Sequence, residues 1–295
     1  MSEQTAADTG PIQVAAARKR GFLRALIVSP TGAIGLGIVA TLIVCAAFAP
    51  QIAPYDPLQM ATGPRLQAPS WAHPMGTDDF GRDAFSRIIF GTRLTLQIGL
   101  IAVGISLTSG LALGLLAGYA GGWAERILMR LVDVLFSFTE IVIALACLAI
   151  FGVGLTNAMI AIGIASIPFY ARVTHSVVLV ERNKPYFEAA IASGAGHVRL
   201  LTLHLLPNVI PTLIVISTLG VSTAILAAAG LSFLGLGAQP PQPEWGFMLS
   251  SSRDLISRAP WMMIFPGLAI AITVLGFNLL GDGIREVLDP RQRER

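Results

Sequence analysis

Charge is what this sequence lacks. Of its 295 residues only 13% are Asp, Glu, Lys or Arg, while 54% are hydrophobic and the mean hydropathy is +0.71. Soluble domains carry roughly one quarter charged residues, so this chain cannot coat a water-facing surface and a soluble enzyme is excluded. The 20 Lys and Arg stand against 17 Asp and Glu, too even a balance for a nucleic-acid binder. Cysteine is equally scarce. Cys45 and Cys147 both lie inside apolar runs, which speaks for buried apolar side chains rather than a disulfide framework or a metal site. The only lysines are Lys19 and Lys184, and neither follows a glycine. A phosphate-cradling loop of the form Gly-x4-Gly-Lys-[Ser/Thr] is therefore absent, and any energy from ATP must come from another polypeptide. Metalloprotease and nucleophile-elbow signatures are missing too. The histidines, His73, His175, His197 and His204, are scattered along the chain. No catalytic residue, metal or cofactor is assigned.

What the chain has instead is long apolar runs. A bilayer core about 30 Å thick needs about 20 apolar residues in a helix. Thr31–Ala53, Leu94–Tyr119, Val153–Tyr170, Val209–Leu236 and Trp261–Gly281 lack charged side chains and approach or exceed that length. Ile127–Phe151 is equally apolar apart from Arg130, Asp133 and Glu140. The expectation is an all-α polytopic membrane protein of six transmembrane helices. Ala47-Phe48-Ala49 has the look of a signal-peptidase site. However, the apolar run before it starts late and exceeds the about 7–15 residues of a signal sequence, so the first span is expected to stay. With the N-terminus inside, fourteen of the twenty basic residues fall on inner segments, which assigns both termini to the cytoplasm.

Between the spans, Met1 to about Val14 reads as a disordered tail. Thr77–Gly91 reads as an amphipathic helix lying flat at the outer interface. Phe80, Ala84, Phe85, Ile88 and Ile89 would form its apolar stripe, and Asp79, Arg82, Asp83, Ser86 and Arg87 its wet face. Gly110, Gly114 and Gly118 make a small-xxx-small row that marks a packing face. Asp133 and Glu140, seven residues apart on one face of the third helix, are candidates for a substrate path or a proton relay. For Asp133 pairing with Arg130 or Arg126 competes strongly; Glu140, deeper in the span, is the better functional candidate. Ser232, Phe233, Gly235 and Gly237 precede a proline-rich stretch, Gln239 to Pro243, that favours an extended segment. They read equally as a periplasmic gate or as a rigid outer loop.

The inner connection from Arg172 to Asn208 is far longer than a turn requires, and long ordered loops tend to be functional. Asn183 can cap a helix, Pro185 suits its first turn, and Glu188 sits near the positive dipole end. Gly194 and Gly196 end that helix, and a second runs from about His197 until Pro207. Helix, glycine elbow and helix would form a compact docking knob.

Here the chain becomes recognisable. Glu188, Ala189 and Ala190, then Gly194, then His204, Leu206 and Pro207 match in order and spacing the E-A-A-x3-G-x9-[I/H]-x-L-P signature of ABC-importer permeases. His73 to Asp83, Gly118 to Trp123, Leu231 to Gly237 with Gln239-Pro240-Pro241, and Asn278 to Gly283 with Asp289-Pro290 resemble the dipeptide, oligopeptide and nickel importer family. The resemblance covers about residues 20 to 292 and fits the second, C-type permease subunit. Phe138-Thr139-Glu140 departs from that pattern, since relatives usually carry Phe-Pro followed by a small or variable residue.

The resemblance implies a bacterial inner-membrane permease of the type I ABC importer fold, forming half of a pathway for peptides or similar small solutes. It implies as partners a second, different permease subunit, two cytoplasmic ATPases, a periplasmic or lipid-anchored binding protein and membrane lipid, and no nucleic acid. Residues 1–24 would be a cytoplasmic tail, 25–53 the first span, and 54–93 a periplasmic loop. Residues 94–282 would be the core with its coupling loop 172–208, and 283–295 a second tail. A proton-coupled secondary transporter using Asp133 and Glu140 is the alternative.

Overall fold

A computed structural model describes residues 21–288. The expected tail at Met1 to Val14, and Asp289-Pro290, lie outside them. After a helical segment at 21–28, ten helices organise the described residues: α1 (Pro30–Ala47), α2 (Ala49–Ile52), α3 (Ala84–Ala120), α4 (Gly122–Phe136), α5 (Glu140–Phe151), α6 (Leu155–Arg182), α7 (Pro185–Ala192), α8 (His197–Phe233), α9 (Trp245–Ser251) and α10 (Trp261–Leu288). No strand occurs among them. Helices α1, α3, α6, α8 and α10 are each long and apolar enough to cross a membrane, and α4 with α5 is apolar enough to do so as a bent pair.

The bundle is built on close backbone approaches. Gly110, Gly114 and Gly118 of α3 lie against Tyr170, Ala171, Thr174 and Val178 of α6. A methyl group at Gly114 would stand 2.4 Å from the Ala171 carbonyl oxygen, so only hydrogen fits. The small-residue row is the packing face its spacing predicts. A second seam joins first span to last, where a Cβ on Gly35 would fall 2.2 Å from the Leu280 nitrogen. Helices α5 and α8 complete the core against α3 and α6 through Ala144, Leu148, Ala224 and Ala228.

Four expectations are corrected. First, no separate helix lies flat before the second span. Asp83 caps α3, its Oδ2 accepting from the Ser86 amide at 2.7 Å, and the helix runs unbroken to Ala120. The supposed wet face is as buried as the apolar stripe: Arg82, Asp83, Ser86 and Arg87 are enclosed along with Ala84, Ile88 and Ile89, whereas Phe80 is exposed. They are buried because the loop 54–83 folds over them and supplies their partners, a tertiary event that helical periodicity cannot register. Second, the third span is interrupted at Ser137-Phe138-Thr139, with α4 and α5 inclined at 91°. Third, the helix of the fourth span continues past Tyr170 to Arg182, so the inner connection begins at Asn183 rather than Arg172. Asn183 closes α6 instead of capping α7, because Pro185 forces Lys184 into an extended conformation. Fourth, Pro207 does not end a helix. A π-helical stretch, Leu200–Leu205, widens the turn just before it and carries the chain into α8.

Candidate coupling surface and pathway

The knob at one end of the bundle grows out of three local facts. Pro185 starts α7 with its fixed φ and no amide hydrogen to satisfy. Phe187, 1% exposed, pins the helix to the body. Gly194, at φ +79°, closes it in a Schellman motif, the Gly194 amide donating to the Ile191 carbonyl at 2.9 Å and that of Ala195 to Ala190 at 3.1 Å. Glu188, Ala189 and Gly194 face solvent, and Ala190 is half-buried. Ile191, Val198 and Leu203 add exposed apolar surface around them.

A polar network holds this knob rigid. Glu181 at the end of α6 accepts from Lys184 Nζ at 2.6 Å and from the Tyr186 hydroxyl at 2.7 Å. Asn208 Nδ2 donates to the Tyr186 oxygen at 3.2 Å and to the His204 carbonyl at 2.7 Å. Burial, and then the Glu181 carboxylate, push the Tyr186 phenol up to about 12. Arg182 donates to the Gly118 carbonyl at 3.0 Å, and the Tyr119 hydroxyl bonds the His197 ring, so α3 is tied to the knob. Within the signature, His204 and Leu206 are half-buried on the continuous helix α8 and Pro207 is exposed. Sequence reasoning missed Glu181, Tyr186, Phe187 and Asn208. A lone aromatic pair, Tyr186-Phe187, inside a polar connection was the available signal.

Asp133 and Glu140 do not share a helix face, because the bend at 137–139 separates them. Asp133 pairs with Arg172 of α6 at 2.6 Å, not with Arg126 or Arg130, and both partners stay partly exposed. Beside it a cavity of 940 Å³ is lined by Glu125, Arg126, Arg130, Asp133 and His175, with His175 Nε2 2.8 Å from Glu125. Glu140, the first residue of α5, accepts a hydrogen bond from the Ser166 hydroxyl.

At the opposite end, α8 closes in a second Schellman motif. Gly235, at φ +80°, donates to the Ser232 carbonyl at 3.0 Å and Leu236 to Leu231 at 2.9 Å. Ser232 is fully buried, its hydroxyl accepting from the Ala238 amide at 3.1 Å, and a Cβ on Gly237 would collide with it. Phe233 is half-buried. The following Gln239–Gln242 stretch turns back rather than extending, with the Gln242 amide bonded to the Gln239 carbonyl at 3.1 Å. Glu244 then caps α9; burial pushes its carboxyl up, while the Gly246 and Phe247 amides hold it down.

A bundle of five long apolar helices and a bent pair, with an anchored exposed knob, defines the class by its architecture: the type I ABC importer fold. Solved structures agree on the fold. The inward-facing methionine ABC transporter MetNI aligns with TM-score 0.56 at 21% identity, covering 70% of this chain and 98% of that one. An amino acid ABC transporter aligns with TM-score 0.53 at 18% identity, covering 68% and 94%.

The sequence profile described as binding-protein-dependent transport system inner membrane component matches residues 110–294, and that of the N-terminal TM domain of oligopeptide transport permease C matches residues 20–69. The chain belongs to this permease family. Among its relatives, the di/tripeptide transport system permease protein DppC of Pseudomonas aeruginosa is 49% identical over 87% of each chain. The dipeptide permease DppC of Alkalihalophilus pseudofirmus is 47% identical over 88% of this chain and 86% of its own. The glutathione permease GsiD of Pectobacterium atrosepticum is 45% identical over 92% and 89%. The protein is thus an inner-membrane permease subunit of an ABC importer, working with ATPase and substrate-binding partners. A proton-coupled carrier finds no support in this membership, nor in the separation of Asp133 from Glu140.

Proposed function

We propose that this subunit forms half of the translocation pathway for di- and oligopeptides or similar small solutes. It pairs with a second, non-identical permease and performs no catalysis itself; ATP hydrolysis resides in two partner ATPases. The names of the relatives support the substrate class. The charge distribution supports placing both termini and the knob in the cytoplasm. In this reading the core runs from about residue 94 to 282, and the coupling element is α7 with the turn of α8 that follows it. Glu188, Ala189, Ala190 and Gly194 meet the ATPase groove, while His204, Leu206 and Pro207 pass the displacement into α8. Asp133 and Glu140 line the pathway, and the corner Ser232, Phe233, Gly235 and Gly237 closes its outer end.

One observation carries the assignment of the knob: α7 exposes Glu188 and Ala189 of the signature yet is anchored by a side chain only 1% exposed, Phe187. A flexible loop would absorb the movement of an ATPase pair; an anchored helix transmits it. Gly194→Trp in the reconstituted transporter tests this. A Cβ at Gly194 meets nothing within 4 Å, so the obstruction is presented outward, although φ +79° adds local strain of about 1 kcal/mol. ATP-driven uptake is expected to fall at least about tenfold, a loss of roughly 1.4 kcal/mol of coupling, with the permease still inserted and folded. Normal uptake by that variant removes the coupling role.

A further inference from the structure

Glu140 stands at the junction of two cavities. One, of 260 Å³, is lined by Ser106 of α3, Ser166 and Tyr170 of α6 and Thr223 of α8 beside the carboxylate. The other, of 280 Å³, opens between Glu140, Ser166, Phe138 and Phe169. Three helices thus bring hydroxyl groups round a single carboxylate supplied by a fourth, on walls otherwise made by Val103, Ile216, Leu219 and other apolar groups. Each cavity approaches the lower end of the about 300–1,000 Å³ range of small-molecule pockets.

The charge balance here is unusual. Among the described residues Glu140 makes no ion pair, whereas Asp133, one bend away, is neutralised by Arg172. An ionisable group at membrane depth costs several kcal/mol unless it is paired or faces a wet path, and it marks a functional site by default. Ser166 supplies one hydrogen bond and no charge. One carboxylate among hydroxyls is too little charge and too few ligands for a divalent metal, which takes six to eight oxygens as calcium or a demanding octahedron as magnesium. It suits a single organic ammonium: the carboxylate takes the charge, the hydroxyls accept the remaining N–H bonds, and the apolar walls take the side chain.

We propose that Glu140 is the cation-recognising group of the pathway and that it receives the protonated amine of the solute in transit. This rests on the reading of the chain as a peptide-class permease whose pathway passes Glu140, and adds which end of the solute the permease reads. Ser166 is a positioning residue, holding the carboxylate toward the α3–α6–α8 cavity.

The test uses the complete transporter in proteoliposomes, supplied with ligand-loaded binding protein. Uptake is normalised to binding-protein occupancy for a free-amine dipeptide and for its desamino analogue. Glu140→Gln keeps an acceptor for Ser166 and removes only the charge. It is expected to slow free-amine uptake about tenfold and to leave uptake of the analogue within about twofold. Glu140→Lys is expected to abolish free-amine uptake by repulsion, and Glu140→Asp to restore most of it. If wild type and Glu140→Gln carry the two solutes in the same ratio, the proposal is overturned while the peptide-permease reading stands. If wild type carries neither, that broader reading fails instead. A loss that falls equally on both solutes also overturns the proposal, because it reports a structural role for the helix break.

Discussion

The two ends of the bundle both gather polar residues, and they use them in opposite ways. At the knob, Glu188 and Gly194 are open to solvent, and the ion pair Lys184–Glu181 is partly wet. At the other end, Asp83 and His73 are 2.8 Å apart and almost wholly enclosed. Asp78 bonds Arg82 at 2.5 Å, and Arg87 reaches the Pro57 carbonyl at 3.0 Å from full burial. Trp245 crosses from α9 to donate to the Ile88 carbonyl at 3.1 Å. A surface that another protein reads must present its groups. A cluster that holds the loop 54–83 against a helix start must hide them, since in low dielectric each bond is stronger and each orphan costlier.

Breaking a buried pair should therefore cost most. Asp83→Ala removes the partner of His73, the acceptor for the Ser86 amide and hydroxyl, and the cap of α3. A loss of about 3–5 kcal/mol of stability is expected, because the remaining groups stay buried and unpaired. Thermal unfolding in detergent measures it; an unchanged midpoint would show that the loop 54–83 adds nothing to the bundle. Phe187→Ala strikes the knob where it is most like the other end, at the one fully buried side chain of α7. Truncating such an aromatic costs about 3–5 kcal/mol in a core. Because α7 is only eight residues long, the loss should stay local. Proteolysis or amide exchange would then increase across 185–194 while the bundle midpoint moves little. Uptake should fall with it, since a detached helix transmits no displacement.

The same contrast shows how far the sequence could be read. Apolar run length found the five long apolar helices and the bent pair α4–α5, and the spacing of Gly110, Gly114 and Gly118 found the α3–α6 seam, because both are properties of a helix alone. The knob was legible through Pro185 and Gly194, whose backbone limits act within a turn. What escaped were decisions made by distant chain. Arg82, Asp83 and Arg87 look like a wet face until Asp78, His73 and the carbonyls of Pro57 and Pro241 arrive to satisfy them. Likewise Asp133 pairs with Arg172, a residue of the neighbouring helix α6, rather than with Arg126 or Arg130 on its own helix α4. Glu140 was singled out for its type and depth alone; the hydroxyls that give it a chemical context come from three other helices.

Tyr186 gives the smallest and most selective probe of the exposed end. Its hydroxyl donates to Glu181 and accepts from Asn208, and its phenol is held up at about 12 against an ordinary value of 10.0. A group whose folded pKa is raised contributes stability that is complete below the unfolded pKa and is lost as pH rises through the folded one. The network should thus be intact throughout the neutral range and up to about pH 10, and loosen between there and about pH 12. Tyr186→Phe removes the two hydrogen bonds and that alkaline step while keeping the ring. Because the residue is partly exposed, water can replace the lost partners, so the expected stability change is under about 1 kcal/mol. Amide exchange at α7 measured against pH checks both points. A step near neutrality, or one that survives Tyr186→Phe, would mean that another group ties the knob to α6.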